Sequence, residues 1–163
     1  MEWLVVHTQF NKEIVSENNL IRQGFETYLP KYKKIIKHAR KRRLVSRPLF
    51  PRYLFVKNHN KNMSVSSISS THGVSTMVSM DGKPAQISNN IINQIKSNEN
   101  NEGIIDIKPF FNKTIGEEVE IVDGAFTGKL GIFNGINEDS RVKVLFNILG
   151  KEITLSMSAL ALA

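Results

Sequence analysis

The sequence contains no cysteine. The chain can therefore form neither disulfide bonds nor thiolate metal sites, and its four separated histidines predict no metal site and no cofactor. No apolar run approaches the roughly 20 residues that a membrane-spanning helix needs, and no basic start precedes an apolar signal stretch. We therefore expect a cytoplasmic monomer that makes no membrane contact.

Patterns typical of catalysis are also missing. The acidic residues Asp81, Glu99, Glu102 and Asp106 are dispersed over a predicted turn and linker, and no nucleophile stands in a pattern with a base. We predict that the protein is not an enzyme and acts by binding alone.

The length and composition of the chain suit a folded protein. Its 40% hydrophobic content suffices for hydrophobic cores, and its 163 residues suit one ordinary domain or two small ones.

Positive charge is abundant, and it is unevenly distributed. Residues 1–110 carry a net charge of +9, whereas residues 111–163 carry −2. The stretch from Thr27 to Val56 contains ten basic residues and no acidic one. Such a density of positive charge indicates contact with nucleic acid phosphates.

The first elements of the chain form a strand and a helix. Trp3 to Thr8 is apolar and β-prone, and the pattern that follows predicts a helix from Lys12 to about Gln23, with Asn11 as its N-cap and Gly24 just beyond its end. Phe10, Ile14 and Ile21 lie on one stripe of this helix, and we expect that stripe to face the core.

The rest of the amino-terminal half alternates between strand and helix patterns. In chain order these are a strand from Phe25 to Pro30, a basic loop or hairpin over Lys31 to Arg47, a strand within Pro48 to Val56, a weak helix from Asn60 to Ser70, a strand from Val74 to Met80, and a short helix that Ser88 caps and that contains Ile91, Ile92 and Ile95. This order predicts an α+β sandwich.

The tail shows a different pattern after a polar linker. Short β-prone runs at Glu118 to Val122, Leu130 to Phe133, Val142 to Asn147 and Glu152 to Leu155 are separated by glycines. Short strands at this spacing predict a small β-barrel of about fifty residues.

Two blocks of sequence resemble the NusG family of transcription elongation factors. The first comprises Trp3 to Val6, Gln23 to Pro30 and, above all, Pro48 to Val56; the second, Gly116 to Gly128, is similar to the start of the family's KOW domain. The resemblance implies an amino-terminal NusG domain (residues 1–100) with an antiparallel sheet and flanking helices, a linker (101–112) and a KOW barrel (113–163). It also implies a factor that binds RNA polymerase and suppresses pausing and termination.

Within the family, two further segments resemble the specialised RfaH branch. They are Thr71 to Ser75 and Phe146 to Ile153. This resemblance implies recruitment to selected operons through non-template DNA and binding to the clamp helices of the largest polymerase subunit. It also raises the alternative that the tail folds as a helical hairpin over Ala125 to Gly135 and Val142 to Leu155. Gly128 and Gly131 disfavour the first of those helices by about 1 kcal/mol each.

The resemblance assigns binding roles to three sets of residues. The residues assigned to polymerase binding are His7, Tyr53, Phe55, Met77 and Met80. Ser66 and Ser67 are assigned to contact with the gate loop of the second-largest subunit. The residues assigned to DNA binding are Lys12, Asn19, Arg22, Gln23, Thr71 and His72, together with the other hydroxyls of Ser66 to Thr71. Arg40, Lys41, Arg42 and Arg43 are expected to neutralise DNA phosphates without reading sequence.

Two other functions remain compatible with the sequence. One is a general NusG factor, whose barrel couples polymerase to the termination factor Rho or to a small-subunit ribosomal protein. The other is an RNA-binding ribosomal or ribosome-assembly protein, because KOW modules also occur there and the net charge fits. The second alternative is less favoured, because the Pro48 to Val56 block resembles NusG factors.

Overall fold

The computed structural model of the protein describes residues 2–57, 59, 64–105, 118–120, 130–132 and 145. The chain divides into two units, Met1–Asp106 and Ile107–Ala163. The first unit contains β1 (Glu2–Thr8), α1 (Glu13–Arg22), β2 (Glu26–Tyr28), β3 (Lys31–His38), β4 (Lys41–Pro48), β5 (Tyr53–Lys57), α2 (Val65–Ser69), β6 (Val74–Met77), β7 (Ser79–Met80), β8 (Lys83–Pro84), β9 (Gln86–Ser88), α3 (Asn89–Lys96) and β10 (Ile104–Ile105). The second contains β11 (Glu118–Glu120) and β12 (Leu130–Ile132).

Strand β1 lies at the centre of the main sheet. It pairs antiparallel with β5 along one edge and with β6 and β9 along the other, and β2 completes the sheet beside β5. This mixed arrangement of an antiparallel sheet and a few helices agrees with the α+β prediction for the amino-terminal half. Because side chains alternate along a strand, β1 supplies apolar residues to both faces of the sheet.

One face of the sheet packs against α1 and α2. Leu4 and Val6 of β1 lie here, with Leu20 of α1 and Ile68 of α2, and all four are buried. The remaining members of this core are Phe25, Leu29, Leu54, Val56, Val74 and Met77. The side chains of Trp3, Val5 and His7 point to the opposite face.

Helix α1 is oriented differently from the sequence prediction. Phe10, Ile14 and Ile21 were expected in the core, but their side chains are 74%, 58% and 52% exposed. The buried residues of α1 are instead Glu13, Ser16 and Leu20.

Backbone packing explains this orientation of α1. A Glu13 carboxylate oxygen accepts a hydrogen bond from the Arg52 backbone N–H (2.9 Å), and the Ser16 hydroxyl donates one to the Lys12 carbonyl (2.8 Å). The two buried polar residues therefore have partners, which removes most of the cost of burying them. A small residue at position 16 also lets the chain at Gly73 pass close to the helix.

Of the two helix ends predicted for α1, the carboxyl-terminal one is correct and the amino-terminal one is not. Asn11 is not the N-cap: it has a left-handed backbone (φ 55°), and Lys12 occupies the cap position without a side-chain hydrogen bond. Gly24 ends the helix as predicted, with φ 89°. The Gly24 and Phe25 N–H groups donate to the Ile21 and Leu20 carbonyls, which is the Schellman arrangement.

The basic stretch forms a hairpin rather than a loop. All eight residues of β3 pair with β4, from Lys31 opposite Pro48 to His38 opposite Lys41. Ala39 and Arg40 connect the strands with φ values of 48° and 64°, as in a type I′ turn. Strand β10 adds to β3 in parallel, so residues 104 and 105, within the predicted linker, pair with the base of this hairpin.

Two other elements differ from the sequence prediction. The strand expected over Val74 to Met80 is divided, because β6 belongs to the main sheet whereas β7 pairs with β8 across the Asp81-Gly82 turn. Helix α2 is short and begins after Ser64, whose side chain accepts a hydrogen bond from the Ser67 N–H.

Helix α3 is capped as predicted, because the Ser88 side chain accepts a hydrogen bond from the Ile91 N–H. None of the described helices is long and apolar enough to cross a membrane.

The second unit shows one antiparallel pair of strands among its described residues. Glu118–Glu120 pairs with Leu130–Ile132, and both segments lie within predicted strands. Gly131 is therefore in a strand and not in the alternative helix. Leu145 has helical backbone, so the strand prediction over Val142 to Asn147 is wrong at that residue. The predicted strand from Glu152 to Leu155 lies outside the described residues.

Gly73 provides a test of how α1 is held against the sheet. Its φ is +95°, and a Cβ there would lie 2.6 Å from Ser16 Oγ and 3.1 Å from the Ser16 backbone nitrogen. We expect Gly73→Ala to lower the free energy of unfolding by about 2–3 kcal/mol in urea denaturation, since strain and steric overlap add.

Gly82→Ala is the matched control for this substitution. Gly82 also has a positive φ, +74°, but a Cβ there would meet nothing within 4 Å. The control should therefore lose only about 1 kcal/mol from backbone strain. Equal losses in the two variants would contradict the close packing of Gly73 on α1.

Candidate functional site

Three aromatic or imidazole rings predicted to bind polymerase lie on the sheet face opposite α1. Val5 pairs with Phe55 and His7 pairs with Tyr53 across β1 and β5, so these side chains share one face. The His7 and Tyr53 rings are 4.9 Å apart between centroids. We call this surface, formed by His7, Tyr53 and Phe55, the aromatic face.

The three rings of the aromatic face differ in accessibility. His7 and Tyr53 are half-buried, whereas Phe55 is 0% exposed. Phe55 stacks on Tyr28 and meets Phe50 edge-on, each at 6.1 Å between ring centroids. A partner can therefore touch His7 and Tyr53. Direct contact through Phe55 does not fit this structure, because its ring is fully buried against Tyr28 and Phe50.

The two methionines assigned to the same surface are placed elsewhere. Met77 pairs with Val6 and belongs to the core between the sheet and the helices, with 8% exposure. Met77 therefore does not share a face with His7 and Tyr53, because alternation along β6 directs its side chain to the other side of the sheet. Met80 is half-buried on the small β7–β8 hairpin.

Burial keeps the accessible part of the aromatic face uncharged near neutral pH. It lowers the pKa of His7 below the ordinary 6.5, and the positive charge of Arg52 lowers it further. Burial also raises the pKa of Tyr53, with Arg52 acting in the opposite direction. Neutral rings present large contact area without the desolvation cost of a charge, which suits an apolar partner.

A second group of predicted residues meets at an open hollow between α1 and the turn after α2. The hollow has a volume of about 460 Å³. Its lining residues are Asn19, Arg22, Gln23, Ser70, Thr71 and His72. Five of the six residues assigned to base or phosphate contact are thus brought together, and the sixth, Lys12, is exposed at the start of α1.

Hydrogen bonds fix the shape of this hollow. Asn19 Nδ2 donates to the His72 carbonyl (3.0 Å), and Gln23 Nε2 donates to Thr71 Oγ1 (2.8 Å). The Arg22 guanidinium donates to Asn19 Oδ1. Thr71 is only 5% exposed and its hydroxyl donates to the Ser67 carbonyl, so Thr71 positions its neighbours. The exposed side chains of Arg22, Gln23 and His72 remain accessible to a ligand.

Gly73 is a further residue of this site, and the sequence predicted no role for it. Gly73 follows His72 directly, and its carbonyl accepts a hydrogen bond from the Gln9 N–H (2.8 Å). Its positive φ and close approach to Ser16 bring the turn against α1. A glycine between a predicted helix and a predicted strand was the available signal.

The two serines assigned to the polymerase gate loop belong to α2. Ser66 is exposed, whereas Ser67 is half-buried and its N–H is held by the capping side chain of Ser64. The Ser64 hydroxyl also lies 2.5 Å from Ser66 Oγ and 3.1 Å from Ser67 Oγ. Of the pair, Ser66 is better placed for an external contact.

The four basic residues of the predicted phosphate contact lie at the far end of the β3–β4 hairpin. Arg40 is in the turn, and Lys41, Arg42 and Arg43 begin β4. All four are exposed. Within the described part of the chain, no group of three histidines or acids is arranged to hold a metal ion.

The first unit thus combines an antiparallel sheet with the half-buried His7 and Tyr53 rings, a polar hollow beside α1 and an exposed basic hairpin turn. The family profile described as "Transcription termination factor nusG" matches residues 1–96. The chain therefore belongs to the NusG family.

Two curated proteins illustrate what the chain is similar to. The chain is 28% identical over 113 residues to the "Transcription termination/antitermination protein NusG" of Chlamydia trachomatis, which is 68% of this chain and 60% of that protein. It is 24% identical over 177 aligned residues to the protein of the same name from Thermus thermophilus, covering 96% and 95% of the two chains. The chain thus spans 60% of the length of the chlamydial relative.

A solved structure is also similar. It is described as "Domain interaction in Thermotoga maritima NusG", with 18% sequence identity and a TM-score of 0.40. The similarity covers 85% of this chain and 82% of that one.

The lowered pKa of His7 predicts how stability depends on pH. The unfolded chain binds a proton at His7 more readily than the folded chain does, so the stabilisation is complete above about 6.5 and is lost as pH falls through the folded pKa. On lowering the pH from about 7.5 to about 5, the melting temperature should therefore fall further for the wild type than for His7→Gln. An equal fall in both proteins would show that His7 is not shielded.

Proposed function

We propose that this protein is a transcription elongation and antitermination factor that binds RNA polymerase through the aromatic face. The observation that supports this function best is the His7–Tyr53 pair. Its rings lie 4.9 Å apart between centroids and are half-buried, and burial lowers the pKa of His7, which favours the neutral ring. Aromatic residues in such positions contribute most of the binding energy at many protein interfaces.

The proposed partner of the aromatic face is the pair of clamp helices in the largest polymerase subunit. The action requires binding and no catalysis. If the factor binds the active conformation of polymerase more tightly than the paused one, it shifts the population towards the active state by that difference in affinity. Ser66 of α2 is proposed to add a contact with the gate loop of the second-largest subunit.

The polar hollow supports a role at selected operons. Arg22, Gln23 and His72 offer hydrogen-bond donors and acceptors around one concave site, and Asn19 and Thr71 fix their positions. Such a set can bind the base edges and phosphates of an exposed strand. We infer that the hollow binds non-template DNA and that the protein acts as a specialised, RfaH-type factor.

The basic hairpin is proposed to contact duplex DNA upstream of the transcribing polymerase. Its phosphate contacts carry no sequence information, so they add affinity to any site. The residues assigned to this contact are exposed. For the tail, residues 113–163, we propose a KOW domain that can bind a small-subunit ribosomal protein.

General NusG activity is the second candidate function. Both named relatives described above are called termination/antitermination proteins without any specialised designation. A general factor would be found on polymerase across most transcription units, whereas a specialised one would be confined to a few. Mapping of the protein along the genome by crosslinking distinguishes the two.

Truncation of Tyr53 tests the polymerase contact. We expect Tyr53→Ala to weaken binding to purified RNA polymerase by about 30-fold, which corresponds to a hot-spot loss of about 2 kcal/mol. The thermal melting temperature should fall less than for a fully buried ring such as Phe55, because Tyr53 is only half-buried.

Two further variants control this measurement. Phe10→Ala removes an aromatic ring that is 74% exposed on another surface, and it should leave binding unchanged. Phe55→Ala removes a fully buried ring and should cost about 3–5 kcal/mol of stability. Retention of full affinity by folded Tyr53→Ala would refute the aromatic face as the polymerase contact.

Neutralisation of the hairpin tests the DNA contact. The variant with glutamine at positions 40–43 should bind duplex DNA with a weaker salt dependence, since each lost phosphate contact reduces the slope of log K against log salt by about 0.9. Fluorescence anisotropy at several salt concentrations measures this slope. Lys83→Gln, on β8, should leave the slope unchanged, and the same slope in all three proteins would rule out the hairpin as the contact.

A further inference from the structure

Strand β4 forms the outer edge of a three-stranded sheet in which β3 lies between β10 and β4. It pairs with β3 on one side, and no described segment of the chain pairs with its other side. β4 has eight residues, and all of them except Val45 and Pro48 are exposed. Its outer edge therefore offers backbone N–H and C=O groups to which another strand can bind.

The register of the hairpin shows which residues of β4 carry these outward groups. Hydrogen-bonded and non-hydrogen-bonded pairs alternate along two antiparallel strands. Leu49 N–H donates to the Pro30 carbonyl at 2.7 Å, and this pair continues the register of β3 and β4. The residues whose backbone groups point away from β3, which we call the outward-facing residues, are Arg42, Leu44 and Ser46. Pro48 falls in the same alternate set, where the N–H that proline lacks would have no partner on β3.

The side chains of β4 differ between the two faces of the hairpin. By alternation along the strand, one face carries the basic residues Lys41, Arg43 and Arg47. On the other face, Leu44 lies opposite its cross-strand partner Ile35, and these two side chains are 59% and 63% exposed. A strand added to this edge would therefore meet positive charge on one face and apolar surface on the other.

The charge of the hairpin determines which strands can be added. The hairpin contains no acidic residue. Among the described residues, the acids that form ion pairs with it lie at its base, where Glu17 pairs with Lys31 and Glu102 with Lys33. Like charges discourage pairing between two copies of β4, whereas opposite charge favours an acidic strand. The two faces of β4 thus match a strand in which acidic and apolar residues alternate.

We propose that the outer edge of β4 binds an extended acidic segment of another protein by strand addition. The segment lies antiparallel to β4 and exchanges backbone hydrogen bonds with the outward-facing residues. Its acidic side chains lie on the basic face, and its apolar side chains lie beside Leu44 and Ile35. In this mode of recognition, main-chain hydrogen bonds provide affinity and alternate side chains provide specificity. The inference is independent of the proposed DNA contact, because it uses backbone groups that phosphate binding does not require.

Binding of a capped, fluorescein-labelled peptide to the full-length protein tests this inference. The peptide has the length of β4, eight residues, and alternates glutamate with valine. Fluorescence anisotropy should give a dissociation constant of about 50 µM. A control peptide with the same composition, but with its glutamates and valines in two separate blocks, should bind at least tenfold more weakly. It has the same charge, but it cannot place glutamate on one face and valine on the other.

Methylation of the peptide backbone separates strand addition from simple attraction between charges. In the antiparallel arrangement the valines lie opposite the outward-facing residues, so their N–H groups point to β4 and those of the glutamates point to solvent. N-methylation of two valines should weaken binding at least tenfold, whereas N-methylation of two glutamates should change it by less than about threefold. Because both modified peptides keep the same charge, equal effects of the two modifications would overturn the inference.

Ser46→Pro tests the edge from the side of the protein. It removes one outward N–H while leaving the β3–β4 hydrogen bonds in place, and proline is tolerated at such edge positions. We expect this variant to bind the alternating peptide about fivefold more weakly, whereas Ser46→Thr, which keeps the N–H, should bind it like the wild type. Circular dichroism and thermal melting establish that both variants are folded. Unchanged affinity of folded Ser46→Pro for the peptide would refute strand addition at this edge.

DNA binding by the same proteins distinguishes failure of this inference from failure of the proposed function. Ser46→Pro should keep the salt dependence of the wild type on duplex DNA, because its basic side chains are intact. If DNA binds and the alternating peptide does not, the inference is wrong and the phosphate contact stands. If the peptide binds and DNA does not, the proposed DNA contact is wrong. Polyglutamate that binds as tightly as the alternating peptide would show that β4 attracts negative charge alone, and the inference would be overturned.

Discussion

The two-sided burial of β1 is the constraint on which the described structure of the first unit depends. Leu4 and Val6 pack against the helices, while Trp3 and Val5 pack on the opposite face. Because the strand is central, its neighbours β5 and β6 inherit the same division of side chains. As a result, Met77 lies in the core between the sheet and the helices, and the His7 and Tyr53 rings lie together on the other face of the sheet. A shift of one residue in the β1–β5 pairing would exchange the two sets and remove the aromatic face.

The packing of α1 determines the second surface. This helix contacts the sheet through Glu13, Ser16 and Leu20, two of which are polar and hydrogen-bonded. The close approach at Gly73 then places the turn after α2 beside Asn19 and Gln23. The hollow is thus a consequence of tight backbone packing rather than of apolar periodicity. The same packing leaves Ile14 and Ile21 facing outward.

The basic hairpin is regular along its whole length, because all eight residues of β3 pair with β4. The Tyr28 hydroxyl donates to Glu99, and β10 extends the sheet at the base of β3, so the hairpin begins from a fixed support. Burial and the Glu99 carboxylate raise the pKa of Tyr28, which keeps that hydroxyl protonated as a donor. A strand pairing and a hydrogen bond thus hold the base of the hairpin.

The amino-acid sequence by itself determined the presence of β1, α1 and α3, the end of α1 at Gly24, the cap of α3 at Ser88, and the concentration of positive charge on one segment. These features are local, since they depend on residues within a few positions of one another. Tertiary structure alone decided the orientation of α1, the placement of Met77 in the core and the depth of Phe55. Each of these depends on a contact between distant segments: Glu13 with Arg52, Met77 with Val6, and Phe55 with Tyr28. Periodicity predicts that a helix has an apolar stripe, but only the neighbouring backbone determines which side of the helix can approach closely enough to be buried.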